Sequence, residues 1–328
     1  MSITELDTPN PIVGSGTHRY EIINDWAKLP DDWDLAEVAG IGVDSRDNIH
    51  VFTRGNHPII VFDRDGNVQR SWGHGLFVRP HALRFAPDDT VFVTDEQDHT
   101  VRKFSLDGKL LMQLGERGKP SPFMSGRPFC RCCDTALAPN GDILVADGYS
   151  NSRVHRYSPD GKLLMSWGET GSGPGQFNVV HNILCDADGW IYVADRENHR
   201  IQIFDQKGRY ETEWRNLHRP CGLWMPPGSR QCCYVGELGP AIRTNRNFPN
   251  LGPRVSILGP NGELLARIGA DRPGVGPDQF LGPHGLATDS RGDLYVGEVP
   301  LSQWAPYFDD PPPPGLRCLR KLRRLPAE

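Results

Sequence analysis

Residues 143–168, ILVADGYSNSRVHRYSPDGKLLMSWG, read as three short β-forming runs, ILVAD, RVHRY and KLLMSW, separated by a polar loop and the turn SPDG. The same pattern stands at residues 91–115 (VFVTDEQDHTVRKFSLDGKLLMQLG) and 191–214 (IYVADRENHRIQIFDQKGRYETEW). The turns LDGK, SPDGK and DQKG hold matching places, and a run ends each time on an acid, Asp95, Asp147 or Asp195. Chance clusters of β-formers would not keep that register. Weaker copies begin at Ile49 (IHVFTRGNHPIIVFDRDGNVQRSWG), at Cys233 (CYVGELGP, then VSILGPNGELLARIG) and at Leu294 (LYVGEV, then LRCLRKL). Six units, each with about four strands and a spacing of roughly 40 to 50 residues, have the size of propeller blades. The expected fold is all-β, a six-bladed β-propeller forming one domain over residues 1–328.

Composition agrees, with 36 glycines and 29 prolines for tight turns between short strands. Two units carry insertions, residues 237–253 and the proline-rich WAPYFDDPPPPG, dense enough in proline and glycine to be surface loops that could cover one channel mouth. The ring must also close. The early run RYEIINDW, within a partly extended segment 1–37, is the natural strand to complete the last blade and remove its free edge.

The formal net charge is -5 and basic residues are scattered, so nucleic acid is not an expected partner. The basic run RCLRKLRRL near the C-terminus reads as an edge strand carrying protective charges rather than as a membrane contact. No stretch reaches the roughly 18 apolar residues that span a bilayer, and the N-terminus lacks a basic start followed by an apolar run. The expected location is cytoplasmic, with the eight cysteines as reduced thiols, while no feature sets an oligomeric state.

Counting back from the acid that ends the second strand identifies residues of shared orientation. Asp95 minus 14 is His81, Asp195 minus 14 is His181, and Glu298 minus 14 is His284, in the settings RPHAL, VVHNI and GPHGL. The remaining blades place Gly40 (Arg54 minus 14), Cys133 (Asp147 minus 14) and, allowing two inserted residues, Cys221 of RPCGL. The slot thus runs Gly, His, Cys, His, Cys, His. One histidine at a strand start is usually a satisfied core residue, but three in alternate blades of a six-bladed ring converge on one axial point. Three imidazoles with an open position are the donor set of a catalytic zinc site, although they also suit iron, copper and nickel. Cys133 and Cys221 are read as small buried fillers in preference to extra ligands or reactive thiols.

Where five units carry an acid, the first carries Arg54, a charge reversal that suggests a grip on a substrate carboxylate, with His57 of FTRGNH beside it. The alternative is a structural salt bridge to a neighbouring blade's acid. Tyr149 and Arg196 follow the acids of the third and fourth units, on loops at the channel mouth. A tyrosine near an arginine and a metal can have its phenol pKa lowered enough to act as a base.

From about Val38 to Glu298 the chain resembles NHL-repeat propellers, and within them the peptidyl-α-hydroxyglycine α-amidating lyase family. The resemblance rests on FTRGNH, PHAL and PHGL in order and on the run from DGYSNSR to ADRENHRIQIF. It implies zinc on His81, His181 and His284, with Tyr149 and Arg54 beside the substrate's hydroxyl and carboxylate and Arg196 assisting. The implied reaction is C–N cleavage of an α-hydroxyglycine-type carbinolamide, a small or peptide-like substrate, to an amide plus glyoxylate or a related oxo-acid. Gly285 stands where the resemblance would bring an acid for a structural calcium, and Ser150 where it would bring a cysteine to pair with Cys130. A lactonase-type propeller hydrolase would instead need calcium-binding carboxylates in the channel, and a non-catalytic interaction propeller would need no histidine triplet.

Overall fold

The computed structural model describes residues 10–23, 25–227 and 232–326. Its strands form six antiparallel sheets around a central channel, six blades in chain order, plus one short two-stranded parallel pair. The innermost strands are Val38–Val43, Pro80–Phe85, Asp134–Leu137, Val180–Cys185, Pro220–Trp224 and Pro283–Thr288 for blades one to six. Each of these strands abuts the next, and the last abuts the first. Second strands read VFVTD, ILVAD, IYVAD and CYVGE, buried throughout because both faces meet neighbouring blades. The cores therefore lie between blades: Phe92 and Val101 of blade two pack with Ile143 and Val145 of blade three, for example, and Tyr192 and Ile201 of blade four with Val235 and Leu258 of blade five. Each fully buried large side chain there contributes about 1.5–3 kcal/mol.

The recurring turn has a backbone cause. Gly66, Gly108, Gly161, Gly208 and Gly262 all have φ between +70° and +88°, and each N–H closes a bond to the carbonyl three residues back. The recurring acid is structural as well. Asp95 accepts the N–H groups of Val78 and Arg79 and pairs with Arg102, while Glu298 accepts those of Leu281 and Gly282 and pairs with Arg320. Asp195 with Arg200 and Glu237 with Arg254 repeat the device. A buried carboxylate is stable in such a place only when cations and N–H donors surround it.

His18–Ile23 pairs with Leu319–Arg324, and Ile12–Ser15 adds a fifth strand outside it, in the sheet that holds blade six. Residues 1–9 of the N-terminal segment lie outside the described residues. The basic C-terminal strand is consequently not an edge, contrary to expectation. It lies inside the sheet, where Arg320 bonds Glu298, Lys321 lies 3.3 Å from Asp293, and Arg323 meets Glu21. All eight cysteines are free, and no described helix is long and apolar enough to cross a membrane.

Candidate metal centre

Every inner strand except that of blade three begins with the same irregularity. Pairing jumps from Pro80↔Asp95 to Ala82↔Thr94, from Val180↔Asp195 to Asn182↔Ala194, and from Pro283↔Glu298 to Gly285↔Gly297, so one residue is bulged out each time. The bulged residues are His81, His181 and His284. In blade five the residue is Cys221, and Cys133 immediately precedes the paired strand of blade three. A β-bulge re-aims a side chain, here towards the axis.

Blade one differs from expectation by one residue. Val38 pairs with Thr53 and Gly40 with Phe52, so the bulged residue is Ala39 rather than Gly40, and the position of the recurring acid is Thr53 rather than Arg54. Thr53 Oγ1 bonds the His57 carbonyl and accepts the Gly55 N–H, a local turn that takes the place of the carboxylate. Arg54 is therefore no charge reversal. Its N–H bonds the Glu37 carbonyl as the Arg196 N–H bonds that of Val179, which makes Arg54 and Arg196 equivalent residues of blades one and four, opposite each other in the ring.

The three histidines meet on the axis, with their ring centroids 4.7–4.9 Å apart. Each Nδ1 bonds the carbonyl of the slot residue in the next blade: His81 to Cys133 at 2.6 Å, His181 to Cys221 at 2.8 Å and His284 to Ala39 at 2.7 Å. The carbonyls need a donor, which sets Nδ1–H and leaves Nε2 as a lone-pair donor facing the axis. Burial drives all three imidazoles below their usual pKa, His284 to about 3, with the Arg54 and Arg196 charges adding to the effect. Ligand nitrogens of the three lie within 4.8 Å of one another. Three neutral, pre-oriented nitrogens fit a transition-metal ion.

Tyr149 caps this group. Its hydroxyl lies 2.9 Å from His181 Nε2 and 3.1 Å from His81 Nε2, and Arg196 Nη1 donates to it at 3.4 Å. Burial raises the phenol above its ordinary value, more than the Arg196 and Arg54 charges lower it.

Arg54 bonds Glu37 of its own blade at 2.6 Å, Ser302 at 3.1 Å and the Pro80 carbonyl at 3.1 Å, and its charge still reaches His81, His284 and Tyr149. His57 is not brought to the cluster by any described contact. It stacks on Trp33 at 3.6 Å and bonds Asn56, packing the loop that precedes blade one. Cys133 and Cys221 stand in the slot with their thiols aimed at the Arg131 and Pro283 carbonyls, and burial pushes Cys221 up to about 12. Ser150 faces Cys130. At Gly285 a Cβ would lie 2.9 Å from the Ile41 nitrogen, so a carboxylate side chain has no room there.

Several residues that line the mouth were not read from the sequence. Glu96 bonds Arg131 and Arg79, and Glu197 bonds Arg196 and Arg219. Their signal was present two residues before the slot, at Glu37, Arg79, Arg131 and Arg219. The two residues just before the blade-six insertion reach them: Ser302 bonds Glu37, and Gln303 accepts from Arg219. Asp309 pairs with Arg243 and Arg246 of the blade-five insertion. Below the histidines, Arg84 of blade two crosses the axis to Asp134 of blade three at 2.7 Å, Asn182 of blade four at 2.9 Å and the Leu223 carbonyl of blade five at 3.0 Å. A cavity of about 10 Å³ is left between Arg84 and the cluster, and one of about 720 Å³ lies at the opposite mouth, lined by Phe85, Trp224 and Tyr234.

Residues 129–157 and 184–204 match the NHL repeat. The human NHL repeat-containing protein 3 is 32% identical, with 88% of this chain and 86% of that protein covered. Peptidyl-alpha-hydroxyglycine alpha-amidating lyase 1 of Drosophila melanogaster is 38% identical over 71% of this chain and 45% of its own length. Peptidyl-glycine alpha-amidating monooxygenase B of Xenopus laevis is 29% identical over 85% of this chain, which spans about a third (35%) of that protein. Among solved structures a streptogramin B lyase shares the fold, with a TM-score of 0.58 at 13% identity and coverage of 95% and 97%. The chain belongs to the family of NHL-repeat six-bladed propellers that takes in the peptidyl-α-hydroxyglycine α-amidating lyases and NHL repeat-containing protein 3.

Proposed function

We propose that the chain is a metal-dependent lyase that cleaves the C–N bond of an α-hydroxyglycine-type carbinolamide, releasing an amide and glyoxylate or a related oxo-acid. The observation that carries this reading is the Tyr149 hydroxyl set against two of three converging, neutral imidazoles. His81, His181 and His284 would hold the ion, zinc by preference, and a bound ion would supply Lewis acidity towards the substrate's α-hydroxyl. Arg54 and Arg196, on opposite blades, suit an α-carboxylate between them, because a guanidinium binds a carboxylate through paired N–H donors. Tyr149 Oη takes the hydroxyl proton, the C=O bond forms as the C–N bond breaks, and that proton is returned to the leaving amide nitrogen. Burial holds the Tyr149 phenol above its ordinary pKa, and the Arg196 and Arg54 charges beside it are what favour the phenolate.

The test is elemental analysis of the purified chain beside His181→Ala, with glyoxylate release from an N-acyl-α-hydroxyglycine as the second readout. About one transition-metal ion per chain, lost in the variant together with activity by more than about 100-fold, supports the lyase. No transition metal under metal-replete conditions overturns it. The near-full-length likeness to NHL repeat-containing protein 3 favours a second reading, a non-catalytic interaction propeller, which predicts no glyoxylate with or without metal.

A further inference from the structure

The charges at the mouth do not balance. Arg54 and Glu37 pair one to one, but Glu96 holds both Arg79 at 2.9 Å and Arg131 at 2.7 Å, and Glu197 holds both Arg196 at 2.7 Å and Arg219 at 3.0 Å. Five arginines on three glutamates leave a surplus of two positive charges, one around each doubly bonded glutamate. In the lyase reading, on which this inference rests, the α-carboxylate of the substrate meets the surplus beside Arg196. The surplus around Glu96 has no such partner.

Its geometry is that of a site open on one side. The Glu96 side chain is 1% exposed, whereas those of Arg79 and Arg131 are 37% and 40% exposed, so a buried anion fixes two guanidiniums whose other sides face the mouth. Arg131 lies over the Tyr149 ring with its guanidinium carbon 4.9 Å from the centroid, and Arg196 lies over the same ring at 5.4 Å. Ser302 ties Arg79 to Arg54, and the Arg79 charge reaches His284. The second cationic spot therefore flanks the proposed base, within reach of whatever extends from the scissile bond. A guanidinium held on one edge keeps further N–H donors in fixed directions, the preorganisation that bidentate anion binding requires.

We infer that Arg79 and Arg131, braced by Glu96, form a second anion subsite, selecting substrates whose acyl part carries an anionic group such as a carboxylate. Arg79 and Arg131 are then specificity residues. Their effect falls on KM for the acidic substrate, because the contact is present before the C–N bond breaks.

The experiment compares glyoxylate release from N-succinyl-α-hydroxyglycine and from the neutral N-butyryl-α-hydroxyglycine by the metal-loaded chain, by Arg79→Gln and by Arg131→Gln. The wild type should favour the succinyl substrate in kcat/KM by about tenfold or more, and either variant should erase most of that ratio through KM. A wild-type ratio near one, or a ratio unchanged from wild type in both variants, overturns the subsite and leaves the arginines as a strut between blades two and three. If neither substrate yields glyoxylate, the lyase reading fails, and calorimetric titration with succinate and with butyrate decides the subsite by itself. Succinate binding more tightly, with the difference lost in Arg131→Gln, upholds it. Equal binding overturns it.

Discussion

Two levels of one channel are built from the same inner strands and treat their polar groups in opposite ways. At the lower level Arg84 donates to Asp134, Asn182 and the Leu223 carbonyl, and Asp134 and Asn182 in turn accept the N–H groups of Ile183 and Leu223. That floor is internally complete. At the upper level each histidine spends Nδ1 on a carbonyl and turns Nε2 to the axis, where a phenol is the partner of two of them. Buried polar groups that satisfy one another stabilise a fold, while buried donor atoms left facing a shared point are available to a ligand.

The contrast can be broken from below first. Arg84→Met leaves Asp134, which is 0% exposed, without its cation, and should lower the free energy of unfolding by about 3–5 kcal/mol in urea titrations. A loss below about 1 kcal/mol would mean that the floor is not what fixes the inner strands. The upper level should respond to pH instead. The unfolded chain protonates its histidines below about pH 6.5, whereas the three buried imidazoles stay neutral, His284 down to about pH 3. Stability of the metal-free protein should therefore fall as pH drops from about 6.5 to 3, by about 1.4 kcal/mol per unit for each histidine that stays neutral. His284→Asn should make that fall shallower in urea midpoints taken across the window. An unchanged slope would show that His284 protonates freely in the folded chain. The smallest effect sharpens the division of labour around the ring. Cys133→Ala and Cys221→Ala keep the carbonyls that orient His81 and His181, so each should cost about 1 kcal/mol and leave metal content unchanged. Metal lost with either thiol would make the cysteine a ligand.

The fold was readable because the repeat is enforced twice, by glycines that must adopt positive φ and by acids that must cap and pair. The histidines were readable for the same reason, since a constant offset from a structural acid carries them to one register. Blade one misled because Thr53 replaces the acid with a hydroxyl while Arg54 supplies a charge one residue later, and spacing does not distinguish a shifted charge from a reversed one. The edge-strand reading of the C-terminus failed because the early run expected to complete the last blade pairs directly with it, so the two readings were inconsistent and the ring closure was the correct one. Which arginine meets which glutamate at the mouth depends on inter-blade geometry. Glu96 reaches Arg131 across 35 residues, and although both stand at repeated positions of their blades, the repeat does not say that the two meet.

Arg84 also decides how traffic runs. A propeller channel is open at both ends in principle, but this guanidinium links blade two to blade five across the axis, with a cavity of about 10 Å³ above it, the room of about one water. In the proposed reaction the histidines would then be reached from the Tyr149 side. In the proposed reaction both products leave by the route the substrate took, and an oxo-acid held by the mouth's arginines stands in the path of the next molecule. Turnover would then be paced by the clearing of that path, and glyoxylate would compete with its own precursor.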